Sequence, residues 1–174
     1  MKFEKGTFLM SDRMIFNSED LRRAMRRWTS GVTIVAACDA DHMHGMTVNS
    51  FNSIALDPPL IGVALAVDAR TCRMVESSGA FAITILNSQQ RELSERFAGR
   101  TTESQDRFAG LETYTLLTGA PLLADGLAGL DCQVVFKYDA GASRLFIGQV
   151  VASRLGKKMP PLVYHEREYW EINK

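Results

Sequence analysis

Cysteine, histidine and proline are all scarce, at three, three and five in 174 residues. Cys38, Cys72 and Cys132 lie far apart, form no C-x-x-C pair and are odd in number. Free thiols in a reducing cytoplasm are therefore expected, and a disulfide framework is not. His42 and His44 sit two apart near Cys38, but the remaining histidine, His165, is far down the chain; a solvated turn, with no metal, is the plain reading. A surplus of either charge is absent too. Lys plus Arg is 20 and Asp plus Glu is 20, so no net field favours nucleic acid or an anionic membrane as a partner. No apolar run approaches the length of a membrane span, and Met1-Lys2-Phe3-Glu4-Lys5 opens no signal-type apolar core. Also missing are a G-x-G-x-x-G turn after a strand, a G-x-x-x-x-G-K-[ST] loop and a G-x-S-x-G elbow. A Rossmann-type dinucleotide fold, a P-loop and a hydrolase nucleophile turn are thereby disfavoured.

What is present is an ordinary globular composition, 46% hydrophobic and 23% charged, enough for one domain with a real core. Residues 1–17 read as a loosely held arm and residues 18–174 as the domain. Asn17 or Ser18 caps a helix with Glu19 and Asp20 in its first turn, and Leu21, Ala24, Met25 and Trp28 form one apolar stripe. Arg22, Arg23, Arg26 and Arg27 fill a solvated face. Strands are expected at 32–37, 60–67, 81–86, 114–118, 130–138, 145–154 and 169–172, with a polar connection over 39–45 and a tight turn at 139–142. A short helix at 71–78 stops at Gly79. A second, capped by Asn87 or Ser88, runs to about 97, and 99–110 is a polar surface excursion. Many strands and few helices make the chain mainly β with flanking helices, in a closed or partly closed barrel.

The densest signal is Thr47-Val48-Asn49-Ser50-Phe51-Asn52-Ser53, followed by the stop Asp57-Pro58-Pro59. A strand built only for a core would not carry so many small polar side chains. Each one buried without a partner costs about 1–3 kcal/mol, and a planar, polar-edged ligand with a phosphate would supply partners. Asp68-Ala69-Arg70-Thr71 opens a helix directly after an apolar strand, so backbone N–H groups, a hydroxyl and a guanidinium meet where a phosphate could sit.

Together with Ser30-Gly31-Val32-Thr33, Phe81-Ala82-Ile83-Thr84-Ile85-Leu86, Glu95-Arg96-Phe97, Phe146-Ile147-Gly148-Gln149-Val150 and Pro161-Leu162-Val163-Tyr164, these segments stand in an order that closely resembles the flavin reductase family. The resemblance covers about residues 18–172. It implies an FMN-binding split β-barrel with Greek-key-like connections. It also implies an NAD(P)H:flavin oxidoreductase, in which hydride from NADH or NADPH reduces FMN or FAD. The reduced flavin then passes to a separate flavin-dependent monooxygenase. A cytoplasmic homodimer is implied, with flavin near the subunit interface. By motif position Thr47, Val48, Asn49 and Ser50 line the ring and ribityl chain, with Thr33 and Ser53 nearby. Ala69, Arg70 and Thr71 hold the phosphate, and Arg96, Phe97 and Ala98 close over the nucleotide. No catalytic acid, base or nucleophile is expected.

Two departures stand out. Thr84 replaces a residue of the family's usual Phe-x-Val-Asn, and Gly141-Ala142-Ser143 replaces a Gly-Asp-His whose histidine helps place the nicotinamide. Ser143, Arg144 and His165 are then the residues expected at the nicotinamide. Arg144 offers a cation for the extra phosphate of NADPH, although an exposed strand-end arginine is the plainer explanation. The lost histidine supports an alternative, a non-catalytic flavin carrier or sensor; an oxidase of the pyridoxamine-phosphate type is a more distant one.

Overall fold

A computed structural model of the chain describes residues 17–40, 42–99 and 106–172; residues 1–16 of the expected arm and 100–105 of the excursion lie outside them. Helix α1 (Ser18–Arg26) starts where Asn17 accepts hydrogen bonds from the Glu19 and Asp20 amides, both at 2.9 Å, which satisfies donors the helix cannot. Next come β1 (Ser30–Gly31), β2 (Thr33–Asp39), β3 (His42–Val48), β4 (Asn52–Leu56) and β5 (Pro59–Ala66), then α2 (Arg70–Ser78), β6 (Ala80–Ile85) and α3 (Arg91–Phe97). The chain continues through β7 (Thr113–Tyr114), β8 (Leu122–Leu123), β9 (Ala128–Ala140), β10 (Ser143–Leu155), β11 (Val163–His165) and β12 (Glu168–Trp170).

Seven strands form one antiparallel sheet in the order β3-β2-β6-β9-β10-β5-β4. Its hairpins are local: Gly141, at φ +63°, turns β9 into β10, and Asp57-Pro58 turns β4 into β5. A small sheet of β1, β11 and β12 lies beside it, as does the β7–β8 pair. Strand β2 explains the two-layered core. Val35 and Ala37 join a cluster with Val63, Leu65, Val75, Phe81 and Phe146, while Ile34 and Ala36 join Leu86, Phe97, Phe108 and Leu162. The period of two sends alternate side chains to opposite faces, so a strand covered on both sides reads as a continuous apolar run. Cys72 and Cys132 are buried in the first cluster, and the Cys38 thiol donates to the Gly119 carbonyl at 3.3 Å. Among the described residues no helix is long and apolar enough to cross a membrane.

Four local expectations change. The polar connection over 39–45 is mostly strand, because His42 to Gly45 pair in register with Asp39 to Ala36. Helix α3 begins only at Arg91. Asn87 instead accepts from the Gln89 amide and donates to the Asp125 carbonyl, so its side chain is spent before the helix starts. The strand expected over 114–118 shrinks to Thr113–Tyr114, since the Thr118 amide donates to the buried Asp131 carboxylate at 2.7 Å and its hydroxyl donates to the same group. Part of the surface excursion is core, because Phe108 packs edge-on to Phe97 with centroids 4.9 Å apart.

Candidate functional site

Strand β3 is an edge of the large sheet and carries the site. At its C-terminal end a cavity of about 250 Å³ is lined by Val32, Thr47, Val48, Asn49, Ser94, Ala98, Tyr164 and Tyr169. The two tyrosine rings meet edge to face at 5.3 Å, the Arg91 guanidinium lies 5.2 Å from the Tyr169 ring, and the Tyr169 hydroxyl is 2.8 Å from Ser94 Oγ. Thr47 Oγ1 donates to the Ser94 carbonyl at 2.6 Å, which ties α3 to β3 across the cavity wall. Asn49 is exposed at the rim.

The polar block therefore divides in two. Ser50 Oγ donates to the Ala64 carbonyl at 2.8 Å and accepts from the Ala64 amide at 3.1 Å, so it is satisfied by β5. Thr33, buried in β2, donates to the Val48 carbonyl at 3.2 Å and holds β3 in place. Backbone partners from distant elements thus satisfy hydroxyls that look, in sequence, as though they await a ligand. Ser53 lies exposed on β4, outside the cavity lining.

Toward the start of β3, α2 begins at Ala69 with no side-chain cap. Thr71 is wholly buried, and its hydroxyl is 2.8 Å from His44 Nδ1. Burial, then the Arg107 and Arg70 guanidinium groups, lower the His44 pKa to about 4. Arg70 is exposed, and no ion partner meets it among the described residues. From His44 to Asn49, five strand steps span about 17 Å, a distance that a phosphate, a five-carbon polyol and the edge of a tricyclic ring can bridge. An uncapped helix start, a cation without a counter-charge and an aromatic-walled cavity at opposite ends of one strand fit a phosphorylated flavin.

The remaining expected residues are scattered, and of them Ala98 lines the cavity. In the same closing segment Phe97 is fully buried core, and Arg96 Nη2 donates to the Asp106 and Ala109 carbonyls at 3.3 and 2.7 Å. Ser143 pairs with Ala66 at the far end of β5. Arg144 is held by Asp139 and Glu76, with Lys137 Nζ also 2.6 Å from Glu76. The hydrogen bond from Lys137 holds the Glu76 carboxyl below its usual range, that from Arg144 does the same for Asp139, and the bond to Asp139 pushes the Arg144 pKa up. His165 Nδ1 lies 2.8 Å from Thr29 Oγ1, and its ring is edge-on to Trp170. Ser94 and Tyr169 carried no sequence signal for the site. Tyr164 appears only as the end of a motif.

Residues 25–173 match the flavin reductase like domain. The chain is 36% identical over 151 residues, 87% of its length and 94% of the relative's, to the reductase component of 4-hydroxyphenylacetate 3-monooxygenase from Thermus thermophilus. It is 41% identical over 133 residues to an NADH-dependent flavin reductase from Rhodococcus sp, covering 75% of this chain and 73% of that one. Flavin reductase PheA2 in its native state has the same fold, with a TM-score of 0.84 and 31% identity across 91% of this chain and 100% of its own. The matched domain, the likeness to named reductases and a mainly β sheet with few helices agree: the chain belongs to the flavin reductase-like family of oxidoreductases.

Proposed function

We propose that the protein takes hydride from NADH to FMN or FAD and releases the reduced flavin to a separate monooxygenase. One observation carries the reading: β3 presents an anion-suited end at Arg70 and Thr71 and an aromatic-walled cavity at Asn49. A bound flavin would supply the two-electron acceptor, so no acid, base or nucleophile is asked of the chain. Its own residues orient. Thr47, Val48 and Asn49 would flank the ring, and Ala69, Arg70 and Thr71 would hold the phosphate. Thr33 and Ser50 keep the strands that carry them in register. Positioning of this kind can supply roughly 7–11 kcal/mol of a barrier. An exposed Asn49 at the rim suits a site that lets its product go.

Arg144 supports NADH over NADPH, because a guanidinium already shared by Asp139 and Glu76 has little left for a 2′-phosphate. The N-terminal end of the described chain supports a homodimer: Leu21 and Met25 of α1 and Trp28 just beyond it are 49%, 55% and 67% exposed, an apolar stripe left open by the described residues. The named relatives are reductases, which favours turnover over carriage. Purified protein should oxidise NADH when FMN or FAD is added, and NADPH more slowly. Tight flavin binding with neither donor oxidised would overturn the reading and restore the carrier.

A further inference from the structure

Arg107 has no role in the flavin site as described so far. It follows the segment after α3, yet its Nη1 donates to the Gly45 carbonyl of β3 at 2.9 Å and to the Phe97 carbonyl at 2.8 Å. The group is half-buried, and burial lowers its pKa. Among the described residues no carboxylate pairs with it, whereas Arg144, on the surface, has two. A half-buried guanidinium satisfied only by neutral carbonyls keeps its charge unmatched, which is costly unless an anion comes to it.

The residue next to Gly45 is His44, whose ring reaches the Thr71 hydroxyl. Arg107 and Arg70 are the two charges that act on this histidine, from the turn after α3 and from the start of α2. Elements far apart in sequence thus bring two uncompensated cations to one histidine–threonine pair. A hydroxyl has one proton to give. If Thr71 donates it to His44, none remains for a ligand. If His44 Nδ1–H donates to Thr71 Oγ1, the Thr71 proton points onward.

We propose that Arg107 and His44 complete the phosphate end of the flavin site, Arg107 as its second cation and His44 as the positioning residue that frees the Thr71 proton for the anion. The proposal rests on the reading of Arg70 and Thr71 as that end. It makes Arg107 and His44 determinants of the preference for a phosphorylated flavin over riboflavin.

Fluorescence-quenching titrations with FMN and riboflavin test it without turnover. The wild type should favour FMN. Arg107→Gln, His44→Leu and Arg70→Ala should each lower the FMN-to-riboflavin ratio by roughly tenfold to a hundredfold. Riboflavin affinity and melting temperature should stay near wild type, which separates a lost anion contact from a damaged fold. Arg107→Lys and His44→Gln, which keep a charge and a donor, should largely retain the ratio. A ratio unchanged in Arg107→Gln and His44→Leu, but lost in Arg70→Ala, overturns the proposal and leaves the phosphate end standing. A wild type that does not distinguish the two flavins overturns both.

Discussion

His44 shows how much one side chain's surroundings decide. In the sequence it is one of two histidines beside a turn; in the fold it faces the Thr71 hydroxyl, with Arg70 and Arg107 the charges near it. Burial and those two cations hold its pKa near 4, against an ordinary value of 6.5. On acidification the unfolded chain therefore binds a proton before the folded chain does. The stability this histidine contributes is complete above about pH 6.5 and is lost as the pH falls toward 4. Melting temperatures of the flavin-free protein should drop across that window, and His44→Gln should flatten the drop. Parallel curves for the two proteins would remove the histidine from the account.

At the level of elements, the site depends on how closely α3 lies on β3. A side chain at Gly45 would place its Cβ 2.9 Å from the Phe97 ring and 3.1 Å from the Val35 carbonyl, so a glycine is required there by close approach. Gly45→Val should push α3 outward and destabilise the protein by about 1–3 kcal/mol, read as a lower denaturant midpoint. Because Thr47 bonds to Ser94 across the same contact, FMN affinity should fall with it. An unaltered midpoint would mean that the packing yields freely.

The same elements show what could be read in advance. The continuous run in β2 and the glycine stop after α2 follow from side-chain period and backbone freedom, which are local, and both were legible. So was a helix start at Arg70, though not its want of a side-chain cap. The start of α3 was not, because Asn87 has a choice of partners and only the fold brings Asp125 to it. The cavity wall of Tyr164 and Tyr169, and the reach of Arg107 to Gly45, depend on contacts across many tens of residues. The partners of Thr47 and Ser50 were out of reach for the same reason: each hydroxyl bonds to a carbonyl that no neighbouring residue supplies.

For the molecule as a whole, the apolar stripe of α1 and of Trp28 just beyond it is left uncovered by the described residues. Leu21, Met25 and Trp28 have the spacing of a buried face, yet all three are exposed. A second copy of the chain would resolve this. Trp28→Glu should shift the protein from dimer to monomer in light scattering; a wild type that is already monomeric would end that explanation.

The two buried sulfurs and the half-buried Cys38 have a consequence for a catalyst of this kind. Dihydroflavin set loose in aerated solution yields hydrogen peroxide, which attacks thiolates far faster than thiols. Burial pushes the Cys132 pKa up to about 12 and raises those of Cys38 and Cys72, so near neutrality each sulfur stays in its unreactive, protonated form. Intact-mass spectrometry after sustained aerobic turnover should find no added oxygen on cysteine. The enzyme can then work beside its own oxidising by-product without being inactivated at sulfur.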